Sequence, residues 1–277
     1  MKRLLALALA ALMLIAVCAS CGSKKAYIVL EDNFGAEEYA IGFRKDDYAL
    51  AAKVQEILDE MAKDGAAGKI SKKWFGREDA FLQGKEFPRE MKTVSGDNSL
   101  QYVLDKGEIV LGLDESFPPM GFRDSKTGEI TGYDIDLAKE MAKRLGVELK
   151  IQPIDWAAKE MELDSKNIDM IWNGMSVTDE RVQNMFLSKP YLANTQCIIV
   201  AADSPIKTKA DLAGKQVALQ EGSSAMEAVE ADEATYATIG ELVTFAENLT
   251  AYMDLKAGRV DAFVVDRVVG EWIIENN

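Results

Sequence analysis

The amino-acid sequence predicts an α/β protein with largely parallel strands, and three observations carry that prediction. From residue 108 onward, short β-branched runs alternate with amphipathic stretches, the order expected of successive strand and helix units. Apolar residues make up 48% of the chain, which is long enough to give two halves a core each. After Cys21 the only cysteine is Cys197, so no internal disulfide replaces a core.

Strand candidates in that region are 109–113, 147–152, 168–172, 195–201, 216–219 and 260–265. Between them, 134–145 carries Ile135, Leu137, Ala138, Met141, Ala142 and Leu145 at helical spacing and stops at Gly146, as at a C-cap. Further helices are expected over 156–163, 224–230, 248–256 and 267–275. Residues 27–76 read differently. Strands are expected at 27–30 and 39–44, then a helix over 47–63 with Leu50, Val54, Ile57, Leu58 and Met61 on one face, then a last helical turn ending at Trp74-Phe75-Gly76. Residues 77–99 keep no period and are broken by Gly84, Pro88, Gly96 and Asp97, so they read as a linker. Its position is odd, because the longest linker lies mid-chain. No internal repeat appears.

At the amino terminus, Met1-Lys2-Arg3 leads into an apolar run from Leu4 to Val17 and then Cys18-Ala19-Ser20-Cys21-Gly22-Ser23. The run is shorter than the roughly 18 residues needed to span a bilayer, so 1–20 reads as a secretory signal. Small residues before Cys21 resemble a lipobox, making Cys21 the expected lipidation site; an ordinary secretory signal with incidental cysteines is the alternative. The formal charge of −14 argues against nucleic acid as a partner. Histidine is absent, which removes the commonest general base, the serine and cysteine protease arrangements and most zinc sites.

Six blocks in one order carry a resemblance. They are Gly112-Leu113-Asp114-Glu115-Ser116-Phe117-Pro118-Pro119-Met120-Gly121-Phe122, Gly132-Tyr133-Asp134-Ile135-Asp136-Leu137-Ala138, and Ile168-Asp169-Met170-Ile171-Trp172-Asn173-Gly174-Met175-Ser176-Val177-Thr178-Asp179-Glu180-Arg181. Ser188-Lys189-Pro190-Tyr191, Asp211-Leu212-Ala213-Gly214-Lys215 and Gly258-Arg259-Val260-Asp261-Ala262-Phe263-Val264-Val265-Asp266 follow. With these blocks the chain resembles the amino-acid-binding family of periplasmic-type solute-binding proteins that serve ABC importers. The order departs from that family in one respect. Blocks like Glu37-Glu38-Tyr39-Ala40-Ile41-Gly42-Phe43-Arg44-Lys45 and Ile70-Ser71-Lys72-Lys73-Trp74-Phe75-Gly76 close the sequence in the family and open it here. The chain therefore resembles a circular permutant, its usual termini joined through a linker over 77–105.

The resemblance implies a two-lobed type II periplasmic-binding-protein fold with two hinge crossovers near 193–195 and 37–39. One lobe would hold 40–193, the other 24–39 with 194–277, and the ligand would lie between them at strand C-terminal ends. A free amino acid needs both its charges neutralised in a dry cleft. Arg181 matches the family's carboxylate-binding arginine, a planar fork suited to that group; from the residues alone it reads equally as a surface helix residue beside Asp179 or Glu180. Asp266 matches the ammonium-binding aspartate, and as a bare feature reads equally as a helix N-cap. Gly222-Ser223-Ser224 opens a helix, so the backbone N–H groups and the hydroxyls of Ser223 and Ser224 favour a carboxylate, or form an ordinary cap.

Asn173, Gly174 and Ser176 follow a strand and offer acceptors to the ammonium, and Asp114 reaches the ammonium or the ligand's side chain. Phe117 and Trp156 match positions facing that side chain, although each aromatic alone is more often core. Glu221 beside the carboxylate site favours a cationic ligand side chain or a water-filled pocket. The expected function is an extracytoplasmic, lipid-anchored receptor for a polar or cationic amino acid. Its partners are an ABC transporter permease and, through the anchor, a membrane. It is expected to be a monomer, with no nucleic-acid partner, no cofactor and no metal, and not an enzyme. The alternatives are a cyclohexadienyl dehydratase-like enzyme on the same scaffold, and a ligand sensor or engineered permutant without a transport role.

Overall fold

The computed structural model describes residues 26–82, 86–92 and 94–276. The signal segment 1–20 and the lipidation candidate Cys21 lie outside the described residues. In chain order the elements are β1 (Tyr27–Tyr39), β2 (Gly42–Phe43), α1 (Tyr48–Lys63), α2 (Ala66–Phe75), α3 (Ser99–Lys106), β3 (Glu108–Leu113), β4 (Ser116–Phe117), β5 (Gly121–Arg123) and β6 (Ile130–Thr131). Then come α4 (Tyr133–Leu145), β7 (Glu148–Pro153), α5 (Lys159–Asp164), β8 (Met170–Ile171), α6 (Asp179–Asn184), β9 (Phe186–Leu187) and β10 (Leu192–Ala201). The chain finishes through β11 (Gln216–Gln220), α7 (Ser224–Ala231), α8 (Glu233–Tyr236), β12 (Glu241–Phe245), α9 (Asn248–Ala257), β13 (Ala262–Asp266) and α10 (Arg267–Asn276).

These strands form two five-stranded sheets, ordered β7-β3-β8-β2-β9 and β1-β10-β13-β11-β12, and a small antiparallel sheet β4-β5-β6. Both large sheets are mixed, which corrects the expectation of largely parallel strands. β3 runs parallel to β7 and β8, and β11 runs parallel to β12 and β13. β2 pairs antiparallel with β8 and β9, and β10 pairs antiparallel with β1 and β13. The antiparallel strands contribute where the chain enters or leaves a sheet, and the parallel ones where a helix returns it.

Residues 197–201 of β10 and 262–265 of β13 read as unbroken apolar runs because they are covered on both faces. Cys197 and Ile199 join one core with Phe263 and Val265, while Ile198 and Val200 join another with Val264, Val217 and Leu219. Burial pushes the Cys197 thiol up to about 12, so this lone cysteine behaves as a small core residue. On α1 the predicted stripe of Leu50, Val54, Ile57, Leu58 and Met61 is buried, each side chain contributing roughly 1.5–3 kcal/mol relative to exposure.

β1 is an edge strand paired with β10, and its register shifts twice, between Val29 and Asn33 and between Asn33 and Ala36. It also runs to Tyr39, well past the expected end at residue 30. Two further expectations need correction. The predicted strand over 168–172 shrinks to β8, because Asn173 and Gly174 turn the chain away. The C-terminal part of the expected linker is the helix α3, which stops at Gly107 in the left-handed region. Among the described residues no helix is long and apolar enough to cross a membrane.

Candidate functional site

The C-terminal ends of β3, β11 and β13 converge on a narrow cavity between the two large sheets. Asp114, Phe117, Trp156, Asn173, Gly174 and Arg181 line it from the β3 side, and Gln220, Ser223, Ser224 and Asp266 from the β11 side. Nine of the ten residues singled out from the sequence as ligand contacts thus share one wall-to-wall space. The tenth, Ser176, stands just behind: its hydroxyl lies 2.8 Å from Ser224 Oγ and its carbonyl accepts from Arg181 Nη1 at 2.9 Å. Gln220 was not foreseen.

Arg181 is the third residue of α6, whose N-cap Thr178 accepts from the Arg181 N–H. The guanidinium is 2% exposed and lies 5.9 Å from the Trp156 ring. Its ion-pair partner is Glu227 at 3.8 Å, a long contact for a buried cation. Burial pushes its pKa down, against the pull of Glu227, Glu37 and Asp266.

Opposite sits Asp266, the last residue of β13, which accepts from Tyr39 Oη at 2.6 Å and Asn194 Nδ2 at 2.9 Å. Burial, then the Glu37 carboxylate, push Asp266 well above the usual carboxylate range. Asn194 Nδ2 also donates to Glu37 Oε1 at 2.6 Å, and Gln196 Nε2 does so at 2.9 Å, so β10 holds two acids side by side under the cavity. The buried Gln196 Oε1 has no partner, an acceptor spare in the same cluster. Asp114 Oδ2 accepts from Gln220 Nε2 at 2.7 Å across the cleft, and burial raises its pKa.

The loop after β8 is braced from below. Asp134 Oδ2 accepts from Gly174 N at 2.7 Å and Oδ1 from Tyr191 Oη at 2.9 Å. Burial pushes Asp134 up to about 7. Gly174 has φ +56°, and a Cβ there would stand 2.6 Å from Phe117 Cε1, so only glycine fits. Ser223 is the N-cap of α7, as expected; its hydroxyl accepts from Met226 N and donates to Gln220 O.

The arrangement offers a cation and the Asp114 carboxylate on one side, and the Asp266 carboxylate with donors from a helix start on the other. Such a site suits a small dipolar molecule. The sequence profile of the bacterial extracellular solute-binding proteins, family 3, matches residues 109–248. The chain belongs to that family. The L-cystine-binding protein TcyJ of Escherichia coli K12 is 32% identical over 180 residues, covering 64% of this chain and 66% of that protein. The lysine/arginine/ornithine-binding periplasmic protein of the same organism is 35% identical over 161 residues, covering 58% and 61%. The chain thus spans just under two thirds of these relatives' length.

Among solved structures, an ABC uptake transporter substrate-binding protein from Streptococcus pneumoniae with bound histidine is 37% identical, with a TM-score of 0.63, over 66% of this chain and 74% of that one. The arginine-bound truncated ArgBP from T. maritima is 38% identical, with a TM-score of 0.59, over 64% and 82%. The two mixed sheets of this family 3 chain follow the same type II periplasmic-binding-protein architecture.

Residues missed in the sequence share one trait: the partners that give them a role lie far away along the chain. Tyr39, Asn194 and Glu37 meet Asp266 only through the register of β1, β10 and β13. Lys159, at the start of α5, looks like a solvent-facing helix lysine in the sequence, yet it is 6% exposed. Its Nζ donates to Trp156 O at 3.3 Å and Gly222 O at 3.1 Å, and burial, then Arg181, push its pKa down to about 8.

Proposed function

We propose that this protein is an extracytoplasmic receptor that captures a free amino acid between its two halves and delivers it to an ABC importer. The observation that supports this best is that Arg181 and Asp266, carried on opposite halves, face the same cavity. Arg181 would take the ligand carboxylate, aided by Ser223, Ser224 and the start of α7. Asp266, with Asp114 and the acceptors of the Asn173–Ser176 loop, would take the ammonium, and Phe117 and Trp156 would flank the side chain. Because Arg181 and Asp266 sit on opposite halves, a ligand held by both would favour the closed cleft. The histidine and arginine bound by the related structures make a polar or cationic amino acid the first candidate.

The proposed halves are 40–193 and 24–39 with 194–277. The chain order is proposed to be circularly permuted through 77–105. Alignments that cover only part of each relative are what a permuted order would produce. Lipidation at Cys21 is proposed as the membrane tether, with more than one acyl chain, since a single chain anchors weakly.

Calorimetric titration with the twenty amino acids tests the reading. Saturable binding of one or a few is expected, and none at all would sink it. Another solved neighbour is an ancestral amino acid-binding protein described as a precursor of cyclohexadienyl dehydratase, and it is 32% identical with a TM-score of 0.59. Turnover of a cyclohexadienyl acid would favour the enzyme alternative over the receptor.

A further inference from the structure

Among the described residues Lys159 is the only buried lysine and Arg181 the only buried arginine. Both aim at one acceptor on the opposite half, the Gly222 carbonyl, at 3.1 Å from Lys159 Nζ and 3.5 Å from Arg181 Nη2. Gly222 sits between β11 and α7 with φ +65°, and a Cβ there would lie 3.3 Å from Ala157 Cα. The Gly222 turn and the turn over Trp156–Ala158 therefore touch, and the lysine crosses the seam at that contact.

Lys159 does not line the narrow cavity. It lines a second, outer cavity of about 570 Å³ between the halves, whose wall also includes Arg181, Glu221 and Glu227. Both hydrogen-bond acceptors of its ammonium are backbone carbonyls, one from each half. A buried ammonium is costly unless it is hydrogen-bonded, and water would replace the Gly222 bond whenever the halves separate. The bond thus belongs to the closed arrangement alone.

We propose that Lys159 is the latch of the cleft: it fastens the Gly222 carbonyl of the opposite half and so sets how long a captured amino acid is held. Lys159 acts here as a positioning residue, without touching the ligand. The latch rests on the receptor reading above, because it needs a ligand to retain. A latch formed after capture slows escape and leaves entry nearly unchanged.

Trp156, whose ring lies 5.2 Å from Lys159 Nζ, supplies a fluorescence signal for the test. Stopped-flow rates are measured with whichever of L-arginine, L-histidine, L-glutamine and L-cystine binds tightest. In Lys159→Met, whose unbranched side chain keeps the packing, the dissociation rate should rise about tenfold or more, as for a lost hydrogen bond from a charged group. Its association rate should stay within about threefold. Lys159→Arg, which keeps the donor, should stay within about threefold of the wild type in both rates.

An unchanged dissociation rate in Lys159→Met overturns the latch while leaving the receptor reading intact. A rise matched by an equal fall in association rate also overturns it, since that marks general damage to the site. If Lys159→Met does not fold, Lys159→Gln is read against the same criteria. If none of the four binds, the tightest binder among the other amino acids is used, and failure of the wild type to bind L-cystine or any of the twenty overturns both proposals.

Discussion

Tyr39 Oη and Asp266 Oδ1 lie 2.6 Å apart, joining the last residue of β1 to the last residue of β13 directly beneath the cavity. The phenol donates to a carboxyl that burial and Glu37 both push toward protonation. Tyr39 therefore favours the ionised form, the one able to receive an ammonium. Removing the hydroxyl in Tyr39→Phe should weaken amino-acid binding by about 1.5–3 kcal/mol, the worth of a hydrogen bond to a charged group. The low-pH limb of the affinity profile should also move to higher pH. Calorimetry across pH checks both, and a limb that stays in place would contradict the role.

Arg181→Ala should weaken binding by at least about 2 kcal/mol, the cost of truncating one member of a buried charge pair. Arg181→Lys should not restore it, because an ammonium cannot reproduce the fork that reaches Ser176 O and Gly222 O together. Equal affinity in either variant would remove Arg181 from the site.

Gly174→Ala puts a Cβ against Phe117 at a positive φ. A loss of about 1–3 kcal/mol in stability is expected from the backbone conformation, with weaker binding as the loop shifts. Chemical denaturation and ligand titration of the same sample measure the two effects.

Asp134 links the site to stability. Its folded pKa, about 7, lies above the ordinary value of 3.8, so the folded state holds the proton more tightly than the unfolded chain. The stability from the protonated form is complete below about pH 4 and is lost as pH rises through 7, amounting to a few kcal/mol at most. Asp266 acts in the same sense. Urea midpoints measured from pH 4 to 7.5 should fall in the wild type and fall less steeply in Asp134→Asn. Parallel curves would show that Asp134 does not titrate there.

Much of the site was legible because it lies in blocks that each end a strand, and strand ends in an open α/β sheet face one crevice. Asp114, Asn173, Ser223 and Asp266 were singled out from their places at or after strand ends together with the family resemblance, and all four line the cavity. Gln220 escaped because the apolar run stops at Leu219, one residue before the strand does. Its importance comes from Asp114 and Asn248, both distant in sequence. Lys159 escaped for a stronger reason: nothing in a short helix beginning Lys-Glu signals burial, and its contact with Gly222 joins residues distant in sequence. The shortest strands were the weakest part of the fold reading: β9, two residues with no measurable alternation, was missed, and the strands expected over 39–44 and 168–172 shrink to β2 and β8. Helix α3 was lost in the same way, its eight residues lying next to the unpatterned stretch.

The two register breaks in β1 bear on how the molecule behaves among its own copies. A straight outer strand thirteen residues long would present a row of unpaired amides and carbonyls on which a neighbouring chain could zip up. The breaks around Asn33 put that row out of step, and the acidic Glu31 and Asp32 lie beside them in the strand. Straightening the strand by deleting a residue at a break should turn a dispersed protein into one that forms fibrils or amorphous solids at high concentration.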